Sequence, residues 1–259
     1  MTTRGQMLYN DIYPFDGRGN MNGFTKENAP DCLSCRFKAG CLFDQLEPAA
    51  QKAWSETKLS RRYSDNDEIY PEGQHPGGIF VVCKGRAKVT SSDARGQQMI
   101  NWIRHPGETF GHIAFFANTE YTSNCLAMGD TLLSFMGKKP LETLLDTWPR
   151  TYKIILHKLA GETRALQHKL KDTAYKPARS KVARALINAI SFKSKDTTTP
   201  AIHGLKRTEI AEITGLALET VVRALQAMEK RSIIKRETKA IKILDYATLA
   251  RIADPHAKR

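Results

Sequence analysis

The sequence predicts an α+β chain: a β-rich half, then a helical half that ends in a small winged unit. Three observations carry this. From about Lys58 to Lys138, short apolar runs are broken by Gly and Pro, the pattern of an all-β barrel or sandwich. From Pro149 the apolar period changes to steps of three and four. Near the C-terminus, "LKRTEIAEITGLALETVVRALQAMEKRSII" reads as two helices about a tight turn.

The elements follow in order. Residues 1–30 are polar, rich in Asn, Gly and Asp, and read as a loose arm. "CLSCRFKAGC" then places Cys32, Cys35 and Cys41 at C-x2-C-x5-C spacing, so residues 1–46 are assigned to the arm and a cysteine loop. Residues 47–148 form the β-rich domain. In it, "GGIFVVCKGRAKVTSS" reads as two strands about a Lys84-Gly85 turn, and "QQMINWIRHPGETFGH" as a strand and a Pro106-Gly107 turn. "YTSNCLAMGDTLLSFM" reads as two strands about Gly129-Asp130.

Pro149 suits the first turn of a helix that occupies residues 149–176. On it Leu156, Leu159, Thr163, Leu166, Leu170 and Thr173 step by 3, 4, 3, 4 and 3. A seam that long and narrow is the kind that pairs with a second copy of itself, so a homodimer is expected, with a helix packed on its own domain as the plain alternative. Pro177 interrupts, and residues 177–259 form the last unit. It holds a helix over about 178–191, a "KSKDTTTP" loop, helices over about 207–213 and 218–230, the hairpin "SIIKRETKAIKIL" and a helix near "YATLARIA".

Composition bounds the partners. Of the 259 residues, 41% are hydrophobic and 26% charged, as in a soluble globular protein. The longest apolar stretch, "GIFVVC", is far short of the ~20 residues of a membrane span. No secretion-signal pattern opens the chain, so a cytoplasmic protein without membrane partners is expected. Its thiols then stay reduced, and an odd number, five, agrees with that. Net charge is +13, and residues 176–259 alone hold 18 Lys and Arg against 8 Asp and Glu, or 18 − 8 = +10. A basic final third points to nucleic acid.

The helix pair shows how that nucleic acid would be read. Ala211 lets the second helix cross closely, and Gly215 supplies the permissive backbone of the turn. Ile210, Ile213, Leu216, Val221 and Leu225 are spaced to fill the core between the helices. Glu219 and Arg223, four apart, share one face near the start of the second helix. Arg pairs bidentately with guanine, Glu accepts from cytosine N4, and Val222 offers apolar contact to a thymine methyl. Thr220 on the same helix and Lys206, Arg207 and Thr208 at the start of the first complete the expected DNA-binding set. A solvated i,i+4 salt bridge between Glu219 and Arg223 is the plain alternative.

The order of units resembles one family. "EIAEITGLALETVVRAL" and "CLSCRFKAGC" are similar to the cyclic-AMP receptor protein / fumarate–nitrate reduction regulator (CRP/FNR) family of transcription regulators, from Cys32 onward. The resemblance implies a cyclic-nucleotide-binding-like β-roll, a long dimerisation helix and a C-terminal winged helix-turn-helix. It implies double-stranded DNA with an inverted repeat and RNA polymerase as partners. No His/Glu constellation accompanies the cysteines, so an enzyme is not expected. The cysteine spacing is that of the FNR branch, in which three N-terminal cysteines and a distant one hold an oxygen-labile [4Fe–4S] cluster. Carried over, Cys32, Cys35 and Cys41 are cluster ligands, and Glu219 and Arg223 are the base readers. The cyclic-nucleotide branch is matched at "GETFGH", with Gly107 and Glu108. Its phosphate then needs a cation where this chain has Thr122, so cyclic nucleotide is not expected.

The family's distant cysteine aligns with Ser134. If Gly129-Asp130 is a two-residue turn, Cys125 opposes Ser134, with Cβ atoms ~5 Å apart. Cys125 is therefore expected as the fourth ligand, with Asp31 or Asp44 as alternatives, and Cys83 as a small core residue. Zinc, thiol oxidation without a cluster, a bare loop that has lost its cluster, or a small ligand in the β-roll are the other readings of the sensor half.

Overall fold

The computed structural model describes residues 23–26, 29–94, 96, 98–190, 200–238 and 240–254. Most of the expected arm and of the "KSKDTTTP" loop lies outside the described residues. The described chain divides into two compact units: residues to Ser91 with Asn101–Ala160, and Ser92–Ile100 with the residues from Gly161.

In the first unit, helices α1 (Leu42–Gln45) and α2 (Pro48–Thr57) lead into strands β1 (Leu59–Tyr63), β2 (Glu68–Tyr70), β3 (Gly78–Ser92), β4 (Gln98–Arg104) and β5 (Thr109–Phe110). Helix α3 (His112–Ala117), strand β6 (Asn124–Gly137) and helix α4 (Lys138–Thr147) follow, and then the long helix α5 (Arg150–Tyr175). The sheet runs β1-β6-β3-β4, with β2 also on β6 and β5 also on β3.

Both long central strands correct the sequence reading. "GGIFVVCKGRAKVTSS" forms one strand, not two about Lys84-Gly85, and "NCLAMGDTLLSFMG" forms one strand, not a hairpin about Gly129-Asp130. They pair antiparallel from Gly78↔Gly137 to Thr90↔Asn124. The glycines mark irregularities in that ladder. Pairing passes from Val82↔Leu133 to Lys84↔Leu132, leaving Cys83 as an extra residue, and again shifts before Arg86↔Met128. Gly85 and Gly129 have φ of 75° and 72°, which a bulge needs as much as a turn does. A Cβ on Gly85 would lie 2.5 Å from the Asp130 carbonyl oxygen, while one on Gly129 would meet nothing within 4 Å. Gly85→Ala is therefore expected to cost about 1–3 kcal/mol in backbone strain alone, plus the clash. Gly129→Ala should carry the strain without the clash, and comparing their urea midpoints checks this.

Over Gly78–Val82 strand β3 is buried on both faces, which is why "GIFVVC" reads as a continuous apolar run. Side chains alternate. Phe80 and Val82 point into the roll with Tyr70, Phe110, Cys125, Leu133 and Phe135. Ile79 and Val81 point the other way, with Met136, onto a layer built by Leu42, Phe43, Trp54, Leu141, Leu145 and Ile155.

The second unit contains the later turns of α5, helix α6 (Ala178–Ala189), strand β7 (Ala201–His203), helices α7 (Arg207–Thr214) and α8 (Leu218–Lys230), strands β8 (Ile234–Arg236) and β9 (Ala240–Ile243), and helix α9 (Tyr246–Ala253). The sheet order is β7-β9-β8. Strand β7 was not expected; three residues carry no period. Ile210, Val221 and Leu225 are fully buried, and Ile213 and Leu216 pack partly buried against the same core. The tip of the β3–β4 hairpin joins this unit where Lys169 Nζ donates to the Ile100 carbonyl at 3.1 Å. Among the described residues no helix is long and apolar enough to cross a membrane.

Candidate metal centre and nucleic-acid interface

The cysteine loop is a chain of turns. Asp31 organises its start, accepting from Leu33 N at 3.0 Å, Ser34 N at 3.2 Å and Ser34 Oγ at 2.7 Å. These donors, Ser34 Oγ foremost, hold the Asp31 carboxyl below its usual range. Lys38 N then donates to Cys35 O, and Cys41 N to Lys38 O. Cys41 sits at the start of α1. Asp44 is ion-paired with Lys38 at 3.7 Å. The two carboxylates considered as ligands are thus engaged within the loop.

The loop closes over the outer face of the sheet. Cys32, Cys35 and Cys41 line one cleft with Pro30, Phe37, Trp54 and Val81. Cys83 and Ser134 line the same cleft. Their Sγ and Oγ atoms stand 3.1 Å apart across β3 and β6, and burial pushes the Cys83 thiol up to about 11. Lys58, 4% exposed, follows the last turn of α2, and its Nζ donates to Cys32 Sγ at 2.8 Å and to the Pro30 carbonyl.

Cys125 lies elsewhere. With no hairpin at Gly129-Asp130, it does not oppose Ser134 but precedes it by nine residues on one strand, roughly 30 Å when extended. It pairs with Val89 and Tyr70 and points into the roll, on the face opposite the cleft. Complete burial holds its thiol far above the ordinary range.

The donor set decides what the cleft suits. A single zinc draws four sulfurs to about 3.8 Å of one another, given Zn–S bonds of about 2.3 Å in a tetrahedron. Among the described residues no three Cys, His, Asp or Glu side chains are grouped to hold one metal ion. A four-iron cube spreads its thiolates over four corners, and four thiols around one largely apolar cleft fit such a group. Nothing in the sequence reading set Cys83 here. The signal was its parity with Ile79 and Val81, obscured because the run is apolar on both faces.

The cyclic-nucleotide positions are differently arranged. Glu108 accepts from His105 N at 2.7 Å and so closes its own turn. Thr122, at the position where a phosphate would need a cation, is exposed.

In the winged unit, Lys206 N donates to Glu209 Oε2 at 2.8 Å, which fixes the start of α7. Gly215 ends α7 with φ of 65°. Burying Val221, Leu225 and Met228 leaves Glu219 and Arg223 exposed on one face of α8, with Thr220 and Val222 partly so. Lys206, Arg207 and Thr208 are exposed at the start of α7. The wing is tied to α8: Glu229 accepts from Arg236 N at 2.8 Å and Nε at 2.7 Å, and the guanidinium holds its carboxyl below the usual range. Arg231, just after α8, and Lys235, on β8, are exposed as well. On α5, Leu156, Leu166 and Leu170 are 62%, 45% and 73% exposed, Thr163 is exposed and Leu159 half-buried.

Comparison with known proteins agrees with this architecture. A cyclic nucleotide-binding domain profile matches residues 60–147, and a Crp-like helix-turn-helix domain profile matches residues 180–252. The chain is 24% identical over 214 residues to the CRP-like cAMP-activated global transcriptional regulator of Mycobacterium tuberculosis, covering 82% of this chain and 96% of that one. It is 24% identical over 225 residues to the transcriptional activator protein Anr of Pseudomonas aeruginosa, covering 86% and 92%. Among solved structures, FixK2 from Bradyrhizobium japonicum shares the fold with a TM-score of 0.69 at 21% identity, over 76% of this chain and 97% of that one. The Mycobacterium tuberculosis and Pseudomonas aeruginosa relatives are named as transcription regulators. With both profiles matched in this order, the chain belongs to the CRP/FNR family of DNA-binding transcription regulators.

Proposed function

We propose that this regulator binds an inverted-repeat DNA site as a homodimer, and that a [4Fe–4S] cluster held by the cysteine loop makes that binding depend on oxygen or a related redox signal. The observation that carries the reading is the convergence of Cys32, Cys35 and Cys41 on one cleft walled by the sheet and by Trp54. When bound, the cluster supplies sulfur-bridged irons that oxidants degrade.

The chain's own packing links that cleft to the dimer helix. Cys32 and Cys41 pack against the same apolar layer as Trp54, Leu145 and Ile155, and Leu159 of α5 packs there too. Holding the loop down therefore fixes the first turns of α5, where the leucine seam begins. The exposed leucines of α5 are the surface that a second copy would cover. In such a dimer two α8 helices sit ~34 Å apart, one turn of DNA. RNA polymerase is the expected further partner. The relatives activated by cAMP suggest cyclic nucleotide as the other trigger; exposed Thr122 and the engaged Glu108 speak against it here.

Protein purified without oxygen is expected to be brown, to hold about four irons per chain, and to lose at least about tenfold in DNA affinity after bleaching in air. Iron and zinc analysis with fluorescence anisotropy on an inverted-repeat duplex checks this. Colourless protein with stoichiometric zinc, or affinity indifferent to air, would sink the reading.

A further inference from the structure

The geometry points to Cys83, supplied by the bulge in β3, as the fourth thiolate of the cluster, in place of a ligand from β6. The inference rests on the cluster reading above and identifies the residue that completes it.

Three features place the Cys83 sulfur. Alternation along β3 puts residue 83 on the face of Ile79 and Val81, which the cysteine loop covers. The ladder leaves Cys83 as the extra residue between Val82↔Leu133 and Lys84↔Leu132. A bulged residue is released from regular pairing and its side chain re-aimed. Its Sγ lies 3.1 Å from Ser134 Oγ, so two positions on neighbouring strands present their side-chain atoms to one spot. Ser134 is itself 2% exposed and directed into the cleft.

The other donors are committed or remote. Asp31 spends its oxygens on Leu33 and Ser34, and Asp44 faces Lys38. Cys125 is buried on the far face of the sheet. Lys58 adds a fitting charge: four thiolates on a sulfur-bridged iron core make an anionic assembly, and a buried ammonium already sits against Cys32 Sγ. On bonding iron, the Cys83 thiol releases its proton to solvent; sulfur keeps its electron pair and shares it with the metal, and nothing is oxidised or reduced. Ser134 Oγ is then left as a hydrogen-bond donor to the ligated sulfur.

The test is anaerobic reconstitution of the full-length chain, read by iron and acid-labile sulfide content and native mass spectrometry. Wild type and Cys125→Ser are both expected to bind about four irons and four sulfides. Cys83→Ser is expected to drop to three irons or fewer. The double variant Cys83→Ser with Ser134→Cys is expected to regain four, because the two side-chain atoms share one place; this separates a lost ligand from a misfolded sheet. A full cluster in Cys83→Ser, equal losses in Cys83→Ser and Cys125→Ser, or no recovery in the double variant overturns the assignment while leaving the cluster reading intact. Wild type that takes up no iron overturns both.

Discussion

Replacing Leu166 by glutamate is expected to turn the protein into a monomer at micromolar concentration and to abolish high-affinity binding to the inverted repeat. Leu166 is 45% exposed in the single chain, and Leu156 and Leu170 beside it on the seam are more so. Three leucines in water on one helix stripe are an unsatisfied apolar surface, and a two-fold axis along the stripe would bury each against its own copy. A glutamate there meets its symmetry mate, and an unpaired buried charge costs about 3–5 kcal/mol. At 1.4 kcal/mol per tenfold, the dimer constant weakens by about two to four orders of magnitude. Specific DNA binding falls with it, since one half-site offers half the contacts. Sedimentation velocity decides the matter. A Leu166→Glu chain still dimeric at micromolar concentration would mean that the leucine stripe is not the interface. Leu166→Met, which keeps volume and apolarity, should remain dimeric.

The sequence and the structure agree where a period was long and disagree where a glycine could serve two purposes. Helices α5, α7 and α8 were legible because each repeats its apolar spacing over at least two turns, and Gly215 sits where a helix must end. The two central strands were misread because Gly85 and Gly129 look the same in a hairpin turn and in a bulge; both need a positive φ. Only pairing between β3 and β6, a long-range property, tells them apart. That local ambiguity propagated to the candidate metal site. A hairpin at Gly129-Asp130 sets Cys125 opposite Ser134, whereas a continuous strand sends it to the far end and the other face. The correct neighbour of Ser134 was readable in part, since Cys83 has the parity of Ile79 and Val81. What could not be read was which face the cysteine loop covers. By contrast the outward placement of Glu219 and Arg223 was legible: burying Val221 and Leu225 leaves both side chains exposed on α8.

Arg223→Ala is expected to weaken binding to the intact inverted repeat by about 2–6 kcal/mol, because the loss of about 1–3 kcal/mol occurs once in each half-site. That is a factor of roughly 30 to 10⁴ in dissociation constant. The side chain is exposed near the start of α8, one turn beyond Glu219 and on the same face. The helix itself is anchored through its own buried Val221, Leu225 and Met228 and by the Glu229–Arg236 contacts that tie it to the wing. A guanidinium on a fixed helix can meet guanine O6 and N7 with both prongs, so its loss should erase the preference for one G·C pair per half-site. Binding to half-sites altered at that pair should fall far less, since they never made the contact. Val222→Ala, which removes only apolar contact, should cost a fraction of this. Anisotropy titrations against the four base pairs at each position distinguish the cases. If Arg223→Ala instead weakens every sequence equally and flattens the salt dependence by about one unit per half-site, the guanidinium grips phosphate. Base reading would then rest on Glu219, Thr220 and Val222.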